Sequence, residues 1–217
     1  SEKKPGKFIY FHKQELNKKK LILDVGSYDG RSIDDFLKNN SNVIIHAFEP
    51  NPSLFLKLKK KYKNNKKVIL NQIALGHVNS YKNFYLNYFE ETSSLRMLNK
   101  SRIRQDNNYT KKIVRVKCMT LEKYLKLKKI KKVDLLKLDT QGNENLILKG
   151  AKKILDKGLI NFLKIEVIFE DYYTKSSKFY EIEKNFTKNN YELISLEDLK
   201  YSVDSRILQL DAIYKIK

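Results

Sequence analysis

The chain has 217 residues, of which 41% are hydrophobic and 32% charged, so we expect one soluble globular domain with a buried core. No apolar run reaches the roughly 20 residues of a membrane-spanning helix, and the single cysteine excludes a disulfide framework and a cysteine-built zinc site. Lysine and arginine number 45 against 25 acidic residues, a net charge of +20. Only six of these bases are arginine, the side chain best suited to phosphate, so the charge indicates a solvated surface more than a nucleic-acid interface.

Short β-rich segments alternate with helical patterns along the first half of the chain. The predicted elements are a strand at 21–25, a helix at 32–38, a strand at 43–48, a helix beginning at Pro52 or Ser53, a strand at 68–74 and a strand at 81–88. The polar stretch at 90–112 has no clear period and predicts a long loop, a feature that often carries function.

The second half of the chain repeats this alternation. It predicts a strand beginning at Ile113, a helix capped by Thr120, a strand at 133–139, a helix capped by Asn143, a strand at 162–169, a helix at 176–188, and strands at 191–196 and 206–214. The short link between the last two strands implies an antiparallel pair. The pattern is typical of an α/β, doubly wound Rossmann-like sheet that is mostly parallel, with ligand sites beyond the carboxyl ends of its strands.

We expect a single domain over residues 1–217, with an N-terminal extension at 1–19 and an inserted hairpin and substrate loop at 77–118. Because the first residues carry no apolar segment of a secretion signal, we also expect a cytoplasmic location. The three histidines, His12, His46 and His77, are scattered, so we expect no metal site.

The clearest local signal is the segment from Asp24 to Gly30, which lies directly between a predicted strand and a predicted helix. Gly26 and Gly30 allow a sharp turn and the close approach of a ligand. Their Gly-x-x-x-Gly spacing lacks the middle glycine of a dinucleotide site, which disfavours a nicotinamide oxidoreductase. Asp24 suits the cationic ammonium or sulfonium end of a ligand.

Two further acidic residues end predicted strands. Glu49 ends the second strand, where a carboxylate can accept hydrogen bonds from both hydroxyls of a ribose. Asp139 ends another strand and is followed by the small, polar, glycine-bearing segment at 140–144. The glycine turn and Glu49 together predict an adenosine cofactor without a pyrophosphate, and Asp139 is expected to point into the same crevice.

Five blocks of sequence carry a resemblance. They are Leu-Asp-Val-Gly-x-x-x-Gly at 23–30, Ala-Phe-Glu-Pro-Asn-Pro at 47–52, Ala-Leu-Gly at 74–76, Ser-Ser-Leu at 93–95, and Asp-Leu-Leu-Lys-Leu-Asp-x-x-Gly-x-Glu-x-x-x-Leu-Lys-Gly-Ala at 134–151. In this order the blocks resemble the FkbM family of S-adenosylmethionine-dependent methyltransferases. The resemblance implies a class I methyltransferase fold, a seven-stranded sheet with an antiparallel last strand, and O-methylation of a sugar or polyketide hydroxyl.

The resemblance also assigns roles to individual residues. It implies S-adenosyl-L-methionine as the cofactor, with contacts at Asp24, Gly26, Ser27, Gly30, Glu49, Pro50, Gln72, Ala74 and Asp139. Within that set the block at 24–30 wraps the methionine portion, Glu49 holds the ribose, and 72–74 lies near the adenine. Asp139 and Glu144 match an acidic pair that faces the transferred methyl group, so the resemblance implies catalytic roles for both.

One position departs from the family pattern. Gln141 stands where the resemblance implies a glutamate, and a glutamine can replace a hydrogen-bonding carboxylate but not a base. Because an alcohol becomes a good nucleophile only when a base takes its proton, we expect Asp139 to be that base, with Glu144 and Glu166 as reserve candidates.

The long loop supplies candidates for binding the methyl acceptor. Ser93, Ser94, Arg96, Arg102 and Arg104 could form a lid whose arginines grip an anionic group. A further set of aromatic residues offers sugar-stacking surfaces: Tyr88, Tyr109, Tyr172 and Tyr173.

Three functions remain open from the sequence. The leading one is O-methylation of a sugar, a glycan or a small hydroxylated metabolite. The second is 2′-O-methylation of RNA ribose, favoured by the net charge and by Asp139, Lys164 and Glu166 near strand ends. The third is a catalytically inactive module of the same fold that binds polyanions.

Overall fold

The computed structural model describes residues 18–101, 107–186 and 190–217. Within these residues the strands are β1 Lys20–Val25, β2 Val43–Phe48, β3 Val68–Asn71, β4 Ala74–Gly76, β5 Ser80–Asn87, β6 Thr110–Thr120, β7 Val133–Leu138, β8 Ile160–Ile168, β9 Tyr191–Tyr201 and β10 Ile207–Ile216. The α-helices are α1 Arg31–Asn39, α2 Pro52–Lys61, α3 Leu121–Leu127, α4 Glu144–Gly150, α5 Lys152–Asp156 and α6 Phe179–Glu183, and a 3-10 helix covers Glu90–Thr92. His12, Arg102, Arg104 and most of the predicted extension at 1–19 lie outside the described residues.

The main sheet has seven strands in the order β3-β2-β1-β7-β8-β10-β9. Strands β3, β2, β1, β7 and β8 run parallel to one another, whereas β10 is antiparallel to both β8 and β9. The predicted α/β doubly wound sheet and its antiparallel last strand are confirmed. The order reverses beside β1, so the carboxyl ends of β1, β2 and β7 meet at the place where such sheets bind ligands.

The centre of this sheet is completely buried because helices cover both faces. Ile22 and Leu23 of β1 lie opposite Leu135 and Leu136 of β7, and all four side chains have no exposed surface. Strands buried on both faces read as continuous apolar runs, which is why these two were visible in the sequence. This packing makes a rigid base for the loops at their carboxyl ends.

A second sheet of three strands, in the order β4-β6-β5, packs beside the first. The predicted single strand at 68–74 is wrong, because the chain leaves the main sheet after Asn71 and Ala74 begins a strand paired with β6. Asn71 and Gln72 are polar, but the apolar residues resume at Ile73, and the change of sheet between them was not predicted.

The helix starts follow their capping residues. The Asn51 side chain accepts a hydrogen bond from the Ser53 backbone N–H at 3.0 Å, and Pro52 occupies the first turn of α2. The Thr120 hydroxyl accepts from the Lys123 N–H at 3.2 Å at the start of α3. Both predicted starts are confirmed.

Two helix predictions in the second half need correction. Asn143 precedes α4, but its side chain donates to the Leu75 carbonyl at 3.1 Å instead of capping the helix, and Ser177 Oγ accepts the Asn145 N–H at 2.9 Å. Of the helix predicted near 176–188, the described residues form only the short helix α6, which begins at Phe179, where the Glu181 carboxylate accepts the Lys178 N–H at 3.1 Å. Within the described residues no helix is long and apolar enough to cross a membrane.

Candidate active site

A cavity of about 590 Å³ lies at the carboxyl ends of β1, β2, β7 and β8, within the size range of small-molecule sites. Its walls also include residues of β4, of the 3-10 helix and of the β9–β10 hairpin. Its charged lining residues are mostly acidic: Glu49, Glu90, Glu91, Asp139, Glu166 and Glu170, with Arg31 and Lys200 as the basic ones. Such a lining favours a ligand that carries hydroxyl donors or positive charge.

Glu49 follows β2 and is held by backbone donors. Its Oε2 accepts the Tyr28 N–H at 2.9 Å and its Oε1 accepts the Asn51 N–H at 2.8 Å. Burial raises the pKa of Glu49 to about 7, although the two N–H donors act in the opposite direction. Each oxygen retains a lone pair for a further donor, so the carboxylate can accept two hydroxyls from the cavity.

The turn after β1 reaches the same place. Gly26 has a φ of +86°, and a Cβ on it would lie 1.8 Å from the Asp139 carbonyl oxygen. Gly30 also has a positive φ, and a Cβ there would meet the Tyr62 hydroxyl at 2.5 Å. Gly26 therefore lets the β1–α1 turn lie directly against the end of β7, and Gly30 lets the same turn pack against Tyr62.

Asp24 and Ser27 support this turn from beneath. Asp24 has no exposed surface and does not line the cavity; its Oδ2 accepts from the Ser32 hydroxyl at 2.8 Å, and its Oδ1 lies 3.4 Å from Lys137 Nζ. The buried Ser27 hydroxyl donates to the Asp24 carbonyl at 3.0 Å. The charge of Asp24 is thus already matched by a lysine of this chain.

Asp139 points into the cavity and accepts hydrogen bonds from two side chains. Lys137 Nζ donates to its Oδ2 at 3.1 Å and Gln141 Nε2 donates to its Oδ1 at 3.2 Å, while 36% of the side chain stays exposed. Burial works to raise the pKa of Asp139, but the Lys137 ammonium outweighs it, so this pKa lies below its ordinary value. Asp139 is therefore a carboxylate at neutral pH.

Glu166 of β8 forms the other half of an acidic pair. Gln141 Nε2 donates to its Oε2 at 2.7 Å and Gln209 Nε2 to its Oε1 at 3.1 Å. Burial and then the Asp139 carboxylate raise the pKa of Glu166 well above its ordinary value. Asp139 is therefore the stronger acid of the pair, and Glu166 is the carboxyl group that takes up a proton first.

Gln141 joins the two acids, a role that sequence reasoning missed. Its amide nitrogen contacts both carboxyl groups, and its Oε1 accepts the Tyr173 hydroxyl at 2.9 Å. It adopts a left-handed φ of +58°, and its carbonyl accepts the Ser94 hydroxyl at 2.8 Å. Only the glycine beside it hinted at this turn in the sequence.

Glu144, the second catalytic candidate, does not line the cavity. Its buried Oε1 accepts the Thr140 N–H and hydroxyl, both at 2.8 Å, and the Gly142 N–H at 3.2 Å. These three donors bind Glu144 into the turn that carries Gln141. Its position suits a residue that shapes the turn.

The remaining predicted site residues lie on the cavity wall, in the interior or at the protein surface. Pro50 and Ala74 line the cavity, whereas Gln72 is exposed and does not. Tyr172 and Ser93 also line it, while Tyr173 is buried beside Gln141. Tyr88 and Tyr109 stack on each other at the surface, with ring centres 5.4 Å apart. Lys164, which the RNA hypothesis used, points to Asp211 at 2.8 Å instead of into the cavity.

The cavity fits the chemical groups of the cofactor that the sequence resemblance implies. Glu49 offers two oxygens for ribose hydroxyls, and Leu54, Ile73 and Leu75 supply apolar wall for a base. The cluster at Asp139 lies in the same cavity. These side chains would hold an adenosine group at Glu49.

Solved structures share this fold. The chain superposes on residues 961–1257 of StiE O-MT with a TM-score of 0.51 at 10% identity, covering 96% of this chain and 72% of that one. For M. capricolum TrmK in complex with S-adenosyl-homocysteine the TM-score is 0.51 at 13% identity, with 93% of this chain and 64% of that one covered. For the Methanococcus jannaschii fibrillarin pre-rRNA processing protein the TM-score is 0.51 at 15% identity, with 93% and 68% covered. At these identities the likeness concerns the fold alone.

Sequence comparison identifies the family. No curated protein matches the chain. The family model described as the methyltransferase FkbM domain matches residues 24–193, which include the β1–α1 turn, Glu49, Asp139 and Glu166. The match covers most of the chain and agrees with the class I fold of the sheet. The chain therefore belongs to the FkbM methyltransferase family and is a methyltransferase that uses S-adenosylmethionine.

Proposed function

We propose that this methyltransferase transfers its methyl group to a hydroxyl oxygen of a sugar, a glycan or a small hydroxylated metabolite. The observation that carries the proposal is the Asp139 carboxylate, which faces the cavity and is kept ionised by Lys137 at 3.1 Å. An alcohol needs such a base because it stays protonated, and is a poor nucleophile, at neutral pH.

The chain's own residues divide the work of the reaction. S-adenosylmethionine, when bound, supplies a methyl group already activated on a sulfonium. Glu49 holds the ribose hydroxyls, and Asp139 accepts the proton of the acceptor hydroxyl. Gln141 fixes the Asp139 carboxylate by its 3.2 Å hydrogen bond, so that the acceptor oxygen is held in one orientation.

Glu166 lies beside the base and shares the Gln141 amide with it. Burial and the Asp139 carboxylate raise the pKa of Glu166, whereas Lys137 lowers that of Asp139, so Asp139 is the more acidic of the two carboxyl groups. Lys137 balances the buried Asp24 as well as Asp139. Asp139 is therefore the member of the pair that we assign as the proton acceptor.

The test is transfer of a trideuterated methyl group from labelled S-adenosylmethionine to a panel of acceptors. The panel contains methyl glycosides of neutral and acidic sugars, sugar phosphates, simple amines and total RNA. We expect mass spectrometry to find the label as a methyl ether on a sugar hydroxyl. Label on nitrogen, or on RNA alone, would contradict the proposal.

A further inference from the structure

A second groove lies on the far side of the segment at 93–96 and differs in charge from the active-site cavity. It encloses about 560 Å³ between the three-stranded sheet and α4, and it shares only Leu95 and Asn143 with the active-site lining. Its charged lining residues are all basic or histidine: His77, Lys82, Arg96 and Arg115. No carboxylate lines it, in contrast to the six that line the active site.

These bases form no close ion pairs, although Glu144 and Glu181 act on the Arg96 guanidinium at longer range. In the described part of the chain, none of Lys82, Arg96 and Arg115 forms an ion pair within 4.0 Å. Arg96 Nε is buried and has no hydrogen-bond partner among the described residues. A buried charged donor without an acceptor costs free energy unless a ligand completes it.

The position of Arg96 is fixed by the active-site turn. The Arg96 N–H donates to Ser94 Oγ at 3.0 Å, and that hydroxyl in turn donates to the Gln141 carbonyl at 2.8 Å and lies 3.2 Å from the Thr140 carbonyl. Burial lowers the pKa of His77, and the positive charges of Lys82 and Arg96 lower it further, as expected in a region of positive potential. The groove is thus a pre-formed region of positive charge and not a set of independent surface lysines.

We infer that this groove, with Arg96 and Arg115 as its principal donors, is a binding site for a phosphoryl group. Arginine forks match the oxygens of a phosphoryl group with two parallel hydrogen bonds. Lys82 adds a point charge from the neighbouring strand β5. The inference does not depend on the identity of the methyl acceptor, because it concerns a different set of residues.

The test is calorimetric titration of the full chain with inorganic phosphate, with sodium chloride exchanged to hold the ionic strength constant. We expect saturable binding that weakens at least tenfold in Arg96→Gln and measurably in Arg115→Gln. The matched control is Arg206→Gln, which removes the same charge from an exposed hairpin residue paired with Asp204 at 2.7 Å. Because Arg115 is exposed, its variant keeps the test valid if Arg96→Gln fails to fold.

Two results would overturn the inference. One is the absence of saturable phosphate binding; the other is an equal loss in Arg206→Gln, which would show attraction by the overall charge of +20 only. A parallel titration with glucose 1-phosphate distinguishes a phosphoryl group on a larger molecule from free phosphate, and glucose serves as the control without a phosphoryl group. Tenfold tighter binding of the sugar phosphate than of phosphate assigns the phosphoryl group to a larger molecule, and equal affinity assigns it to free phosphate.

Discussion

Glu49 and Asp139 are both carboxyl groups at strand ends of one cavity, yet the chain holds them in opposite ways. Backbone N–H groups bind both oxygens of Glu49, and no lysine or arginine forms an ion pair with it among the described residues. Side chains bind Asp139, and one of them, Lys137, carries a full charge. Burial therefore raises the pKa of Glu49 to about 7 despite its two N–H donors, whereas the Lys137 ammonium holds the pKa of Asp139 below its ordinary value.

This difference separates two tasks. A carboxylate held by fixed backbone dipoles is a rigid acceptor whose protonation decides whether it can receive two hydroxyls. A carboxylate held by a lysine and an amide keeps its negative charge through neutral pH and stays available as a base. The cavity thus has a binding end at β2 and a reacting end at β7.

The largest effect is expected at the reacting end. Asp139→Asn should slow methyl transfer by about 10²–10⁴-fold, because general-base catalysis contributes on that order. The affinity for S-adenosylhomocysteine, measured by calorimetry, should change by less than about threefold, or about 0.7 kcal/mol, because Glu49 at the other end of the cavity holds the ribose. The rate is measured with the acceptor identified from the labelled panel.

The control for Asp139→Asn is Asp156→Asn, which alters an exposed aspartate paired with Lys152 at 2.8 Å on α5. It should leave both rate and affinity unchanged. If Asp139→Asn weakened cofactor binding as strongly as it slowed transfer, the separation of the two ends would be wrong.

A second expected effect concerns the stability that Lys137 provides by pairing with Asp24 and Asp139. Lys137→Met leaves Asp24, which has no exposed surface, as a buried charge without its cation. Breaking a buried ion pair in this way costs about 3–5 kcal/mol of unfolding free energy. Urea unfolding followed by circular dichroism measures the loss.

Lys152→Met provides the comparison for Lys137→Met, because it removes a lysine from the exposed pair with Asp156. Such a pair contributes only about 0.3–0.5 kcal/mol. Equal losses in the two variants would show that Lys137 has no special part in holding Asp24 and Asp139.

The binding end of the cavity could be predicted from the sequence more completely than the reacting end. The partners of Glu49 lie 2 and 21 residues away, in or next to one strand–helix–strand unit, so the apolar runs and the glycine turn were enough to place it. The partners of Glu166 lie 25 and 43 residues away. Gln209 reaches it only because β10 pairs antiparallel with β8 in one register, which a single sequence does not specify.

The role of Gln141 could not be predicted from the sequence for a similar reason. From the sequence, this glutamine was a departure from a carboxylate and a reason to question activity. In the fold, its amide donates to two carboxyl groups at once, which a carboxylate at this position could not do. The break between β3 and β4 at 72–73 was likewise invisible, because it depends on pairing of Ala74 with Cys118, 44 residues further along.

The smallest expected effect, about tenfold, tests the binding end by pH. A carboxyl with a pKa of about 7 is one-tenth ionised at pH 6 and nine-tenths ionised at pH 8. Only the ionised form accepts hydroxyl hydrogens on both oxygens, so protons compete with the ribose. The affinity for S-adenosylhomocysteine should therefore increase by up to about tenfold between pH 6 and pH 8 at fixed ionic strength.

The Glu49→Gln variant isolates this contribution from that of Glu166, whose pKa is also raised. It should bind S-adenosylhomocysteine more weakly at pH 8 and lose most of the dependence on pH, because its amide does not titrate. His46 does not interfere, since burial lowers its pKa to about 4, below the measured range. A wild-type affinity that stays constant or falls as the pH rises would mean that Glu49 is ionised throughout, and that backbone donors outweigh burial at this end of the cavity as Lys137 does at the other.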